Sequence, residues 1–239
     1  MAFEPVMRSP LHRVHADLGV AFGRDGDWEY PAAYPATAEA AGLVALTDGV
    51  AITDISARGK VDIRGAIGEL FTRMARTSEG WEPGRIVPLE PAPSEEHPGF
   101  VAPISEVWAI VFCPPGSLDT RLEELEEPVA EGLTMITEVS SQYSGIALSG
   151  PRTFDVLTRV TPFDLDDLIP GAVVATRMLE VNGLLAHREL GLGDAVRSVV
   201  ELWVSSSYAR YAWETILAIG GPHGAAPLGR DAFTGRGWW

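Results

Sequence analysis

Two stretches of the chain repeat one local order, and any fold for this sequence has to accommodate both. The first, ITDISARGKVDIRG (52–65), alternates polar and apolar residues from Lys60 to Arg64, the period of a half-buried strand. It breaks at Gly65 into AIGELFTRMA, where Ile67, Leu70, Phe71 and Met74 recur at helical spacing. The second, ITEVSSQYSGIALSG (136–150), contains a strand from Tyr143 to Leu148 and leads into PRTFDVLTRV. Pro151 suits a first helical turn, and Phe154, Val156, Leu157 and Val160 supply a buried face. One stretch begins Thr-Asp-Ile-Ser, the other Thr-Glu-Val-Ser.

The two halves also end alike. VWAIVF (107–112) is an apolar strand followed by SLDTRLEELEE, a helix with Ser117 or Asp119 as its cap. VVELWV (199–204) precedes SSSYARYAWETILAI, a helix with a serine cap. VVATRMLEV and GLLAHREL are two further strands. This order predicts an α+β fold with an antiparallel or mixed sheet and helices on one side, built as one domain over 1–239 from related halves at about 50–130 and 131–220. The segment 82–103, rich in Pro, Glu and Gly, reads as an exposed covering loop. The final Trp238 and Trp239 read as docked on the body of the protein or on a partner.

Charge narrows the partners. Lys and Arg number 18 against 33 Asp and Glu, a formal charge of −15, and Lys60 is the only lysine. No basic stripe offsets that charge, which excludes nucleic acid and disfavours anionic membranes. No apolar run reaches transmembrane length, and the first residues lack the pattern of a signal peptide, so a cytoplasmic protein is expected. The single cysteine, Cys113, excludes an internal disulfide and reads as a buried, inert thiol. The five histidines show no zinc-hydrolase spacing, no metal site is predicted, and no nucleophile elbow, Walker loop or dinucleotide fingerprint is present. LEELEEPVAE is a solvated acidic face or a surface for a partner.

The N-terminal residues carry a family likeness. Ser9-Pro10-Leu11, His15, Leu18-Gly19 and Trp28-Glu29-Tyr30-Pro31 with Tyr34 resemble the opening segment of the glycine-cleavage aminomethyltransferases. ITDISARGKVDIRG and GIALSGPRTFDVLTRV resemble later motifs of that family. DLIPGAVVATRMLEVNGLLAHREL with SSSYARYAWETIL resembles the sarcosine oxidase gamma (small) subunit more closely. The likeness runs from about 10 to 230 as many modest matches in order.

The resemblance implies an aminomethyltransferase-type folate-binding domain of two ferredoxin-like βαβ halves, without the C-terminal barrel of the full enzymes. It implies tetrahydrofolate as cofactor and Glu201 as the carboxylate that holds the pterin. One carboxylate accepts two N–H bonds from a pterin edge as it would from a guanidinium. Arg230, in Pro-Leu-Gly-Arg-Asp, falls in a second matching element, and Arg188 or Arg177 would meet the tail carboxylates. Tyr143, Trp28 or Tyr34 would stack on the pterin. One departure stands out: where the family places an aspartate that orients the folate amine, residues 98–104 offer no acid. Glu106 is displaced, and Glu95, Glu96 and His97 lie in the loop before it. No residue is assigned as catalytic.

The function so implied is methyl or methylene transfer from an amine or methoxy donor to tetrahydrofolate, with the chain as part of a heteromeric enzyme. The alternative is a non-catalytic accessory subunit, like the sarcosine oxidase gamma subunit, that seats a larger flavin or transferase partner. A descendant that has lost folate is a third class. Folate and a protein partner or a second copy are the expected partners.

Overall fold

The computed structural model describes residues 6–65, 67–68, 81–89, 99–129, 134–192 and 195–234. Trp238, Trp239, Glu95, Glu96, His97 and most of the AIGELFTRMA segment lie outside the described residues. The strands are β1 (Met7–Arg8), β2 (Ala21–Asp25), β3 (Trp28–Ala33), β4 (Val50–Asp54), β5 (Gly59–Arg64), β6 (Val87–Pro88), β7 (Phe100–Ser105), β8 (Trp108–Cys113), β9 (Met135–Glu138), β10 (Tyr143–Ser149), β11 (Val173–Met178), β12 (Val181–Leu192), β13 (Ala195–Ser205) and β14 (Ala225–Pro227). The helices are α1 (His12–Asp17), α2 (Ala36–Asp48), α3 (Leu118–Val129), α4 (Thr153–Leu157), α5 (Ala209–Gly220) and α6 (Arg230–Thr234).

Two large sheets face each other. One has the order β11-β12-β13-β10-β4-β14, mixed because β14 runs parallel to β4; the other is antiparallel, β6-β7-β8-β5-β9. Strand alternation sorts side chains into three apolar layers. Ile52, Leu148, Leu185, Val200 and Leu202 pack with Trp213 and Ile216 of α5 on the outer face of the six-stranded sheet. Val61, Ile63, Val111 and Leu125 of α3 form the outer layer of the five-stranded sheet. Between the sheets lie Phe100, Ile110 and Phe112 on one side and Ala147, Leu184, Ala186 and Trp203 on the other.

The segments expected from sequence as halves, about 50–130 and 131–220, do not form one sheet each. β4, the first strand of the first half, pairs with β10 in the six-stranded sheet, while β9, the first strand of the second half, pairs with β5 in the five-stranded sheet. Each half lends its leading strand to the other.

The structure corrects three sequence expectations. The covering loop 82–103 contains β6 and runs into β7, whose Phe100, Val101 and Ala102 are fully buried. Pro103 hid this strand, since proline rarely sits inside a sheet; here it falls where the β7–β8 register shifts, the kind of irregularity that tolerates it. The serine cap of α5 is absent: Tyr208 holds the cap position with no side-chain bond, and Ser206 Oγ instead donates to the Ser141 carbonyl. Lys60 does not face water, because the polar face of β5 begins under Trp203 of the opposite sheet.

Candidate functional site

A row of small side chains crosses the six-stranded sheet on its inner face. Thr53 of β4 lies opposite Ala147 of β10, which lies opposite Glu201 of β13, which lies opposite Ala186 of β12. The one large polar group in that row is Glu201, and it is completely buried. A carboxylate directly flanked by alanines needs donors from beyond that row.

They are two arginines and a tryptophan. Arg58 Nη1 donates astride the carboxylate, 2.9 Å from Oε1 and 3.0 Å from Oε2. Arg188 Nη1 donates to Oε1 at 2.8 Å, and Trp203 Nε1 donates to Oε2 at 3.2 Å. Phe100 of the facing sheet lies under both guanidinium groups, 5.4 Å from Arg58 and 4.5 Å from Arg188. Burial pushes Glu201 up, but the charges of Arg58 and Arg188 prevail and hold its carboxyl below the usual range. Burial pulls Arg58 down to about 10 against the raising charge of Glu201.

Lys60 lies beside this cluster. Its Nζ donates to the carbonyls of Ser56 and Arg58 at 2.8 and 2.7 Å and sits 5.1 Å from the Trp203 ring. Burial pulls its ammonium down to about 7. Trp203 reaches this position because Gly145 opposite it has no Cβ: a methyl there would collide with the indole ring.

A second buried cluster ties the N-terminal segment to β4. Asp54 Oδ2 accepts from Ser9 Oγ at 2.7 Å and lies 3.0 Å from His15 Nε2, while Tyr34 OH lies 2.9 Å from His15 Nδ1. Burial raises Asp54, yet its hydrogen bonds with His15 and Ser56 hold it below the usual carboxylate range. Burial pushes the Tyr34 phenol up. A fully ringed network of this kind fixes α1 and β3 against the sheet.

Of the residues singled out from sequence, Glu201 and Arg188 are brought together. Arg230 has other bonding partners: at the start of α6 it donates to Asp25 Oδ2 at 2.8 Å and stacks 3.8 Å from the Tyr30 ring, which docks α6 on the β2–β3 hairpin, while its charge still reaches Arg58. Tyr143 lines a separate cavity of about 470 Å³ with Trp108, Arg177, Asn182 and Leu184, and Glu201 is not part of that lining. Trp28 is buried 5.9 Å from Lys60 Nζ. Sequence reasoning missed Arg58, Lys60 and Asp54. Arg58 has no local signal, whereas Lys60, as the only lysine, and Asp54, as the acid of Thr-Asp-Ile-Ser, were visible.

The family model of the GCVT N-terminal domain matches residues 11–236. The chain belongs to that family. As a GCVT N-terminal domain, it is 26% identical over 240 residues to an aminomethyltransferase of Saccharopolyspora erythraea and 27% identical over 235 residues to one of Geobacillus kaustophilus. Those alignments cover 93% and 94% of this chain but 60% and 62% of the relatives, so the chain spans about 60% of their length. The fold matches the glycine cleavage system aminomethyltransferase T of Bartonella henselae with a TM-score of 0.74 at 17% identity, covering 95% of this chain and 60% of that one. It also matches a chain of the heterotetrameric sarcosine oxidase of Corynebacterium sp. U-96, TM-score 0.64 at 15% identity, covering 92% of this chain and 97% of that one. No helix among the described residues of this GCVT domain is long and apolar enough to cross a membrane.

Tetrahydrofolate is the cofactor the family implies, and the resemblance assigns its pterin edge to Glu201. The residues in place do not fit it. A carboxylate offers about four acceptor positions, and Arg58, Arg188 and Trp203 make four donor contacts with Glu201.

Proposed function

We propose that this chain is the accessory subunit of a heteromeric enzyme of one-carbon transfer, in which methyl or methylene units pass from an amine or methoxy donor to tetrahydrofolate on a partner chain. The observation that carries this reading is the self-satisfied Glu201: its acceptor positions are filled by the chain's own donors. Two further features support it. Within 98–104, where the family's orienting aspartate would fall, lies most of the apolar strand β7, whose Phe100 to Ala102 are buried. The fold likeness to a chain of the heterotetrameric sarcosine oxidase also agrees.

In this role the chain's residues bind and position rather than react. The Glu201–arginine cluster clamps β13 and β12 to the β4–β5 connection that carries Arg58, and the facing sheet closes over it with Phe100. A second reading, a tetrahydrofolate-binding aminomethyltransferase in its own right, is favoured by one observation: the row that runs through Glu201 on the inner face of the sheet, Thr53, Ala147 and Ala186, carries small side chains.

The test is purification of the tagged chain from its native cell, followed by titration of the isolated chain with tetrahydrofolate. The accessory reading expects a stoichiometric flavin-containing or transferase partner and no calorimetric binding of tetrahydrofolate by the chain alone. Micromolar binding that disappears in Glu201→Gln would overturn it in favour of the second reading.

A further inference from the structure

We propose that Arg58 is an internal occupant of the Glu201 site, standing where a ligand with a cyclic guanidine edge would bind, and that this arginine decides whether the chain takes a pterin. The inference uses the same carboxylate as the functional reading but does not depend on a partner subunit.

Glu201 is fully buried, and Arg58 is nearly so, with 2% of its side chain exposed. Arg58 arrives from the β4–β5 connection, over a hundred residues away in sequence, and sets Nη1 astride both carboxylate oxygens. A 2-amino-4-oxopyrimidine ring would need the same two oxygens for its ring N–H and amino group. The remaining acceptor capacity is taken by Arg188 and Trp203, so no vacant edge remains.

Displacement is opposed electrostatically. A pterin is neutral at this edge, whereas Arg58 is a cation that compensates Glu201 in a site closed to water. An incoming pterin would separate the Arg58 guanidinium from that carboxylate inside a buried site, and separating a buried ion pair is strongly unfavourable. Arg188 does not block in the same way: its side chain is 13% exposed and meets only Oε1. Exclusion therefore rests on residue 58, and a neutral side chain there would leave Glu201 paired with Arg188 on Oε1 and Trp203 on Oε2, with the acceptor positions that Arg58 fills on each oxygen open.

The experiment compares wild type, Arg58→Ala and the double variant Arg58→Ala/Glu201→Gln as purified chains. Methylguanidinium at millimolar concentration reports whether the vacated site is intact, through recovery of thermal stability. Tetrahydrofolate under anaerobic conditions reports pterin binding by calorimetry. The expected result is that Arg58→Ala is stabilised by methylguanidinium and binds tetrahydrofolate at least about tenfold more tightly than wild type. The double variant is expected to lose both effects. A methylguanidinium-responsive Arg58→Ala with no gain in tetrahydrofolate binding would overturn the proposal, as would wild-type binding that already matches the variant. Should Arg58→Ala fail to fold, Arg58→Gln keeps a neutral donor near Glu201 and carries the same expectation of gain, and its failure to gain overturns the proposal equally. Loss of the partner subunit from the native complex would overturn the functional reading alone and leave this result unaffected.

Discussion

The two places where a leading strand crosses into the other sheet are built alike and buried differently. At the first, Asp54 Oδ1 accepts from Ser56 N, Ser56 Oγ accepts from Gly145 N, and Ile55 N donates to the Gly145 carbonyl. At the second, Glu138 Oε1 accepts from Ser140 N, Ser140 Oγ accepts from Lys60 N, and Val139 N donates to the Lys60 carbonyl. The acid is what differs. Asp54 is buried and gathers Ser9 and His15, whereas Glu138 is exposed and serves only its own turn. One hydrogen-bonding pattern thus anchors the N-terminal segment at one crossing and merely shapes the backbone at the other. The likeness supports the proposal that 50–130 and 131–220 are related halves.

The comparison can be broken most directly at its buried acid. Asp54→Ala leaves Ser9, His15 and the Ser56 N–H without their acceptor, and a loss of about 3–5 kcal/mol in urea denaturation is expected. A loss below about 1 kcal/mol would mean that the first crossing is no more of an anchor than the second.

The next effect is on pH dependence. Lys60, whose backbone N–H belongs to the second crossing, has its ammonium pulled by burial to about 7, while in the unfolded chain it titrates near its ordinary value of 10.5. Between those values the unfolded chain holds a proton that the folded chain releases, so stability rises with pH there; below about 7 both forms are protonated and the full cost of burying the charge remains. Urea midpoints are expected to climb from pH 7 to 9.5 by the equivalent of roughly 1–3 kcal/mol, with Lys60→Met removing most of the slope.

Smaller effects sharpen the likeness. Ser56→Ala and Ser140→Ala each orphan one buried backbone N–H, and similar losses of about 1–2 kcal/mol are expected by the same denaturation assay. Clearly unequal losses would argue against equivalent crossings. Glu138→Ala is expected to cost less than about 1 kcal/mol, since an exposed carboxylate is readily replaced by water.

Much of this was legible in the chain. The strands β8, β10, β11, β12 and β13 and helices α3 and α5 follow from apolar runs and 3.6-residue spacing, because each is long enough for its pattern to stand out. Glu201 and Arg188 were visible as strand residues, and their meeting follows from the β12–β13 register. β7 was hidden by Pro103 and by the Pro- and Glu-rich residues before it, a local composition that the tertiary context overrides. Arg58 was hidden for a different reason. Nothing near it in sequence marks a buried charge; only the exchange of β4 into the other sheet carries the following residues under Glu201. Lys60 was misjudged because alternation fixes which residues share a face but not what that face meets.

The strand exchange also bears on how the chain comes apart. With β4 stitched into the sheet of the second half and β9 into that of the first, neither half retains all its pairing partners when separated from the other. A peptide ending after α3 would leave β4 without β10, and one beginning at β9 would leave β9 without β5. The two halves are interlocked like clasped hands, so melting is expected to be one concerted event rather than two, and a chain cut between α3 and β9 would regain its shape only when both fragments are present together.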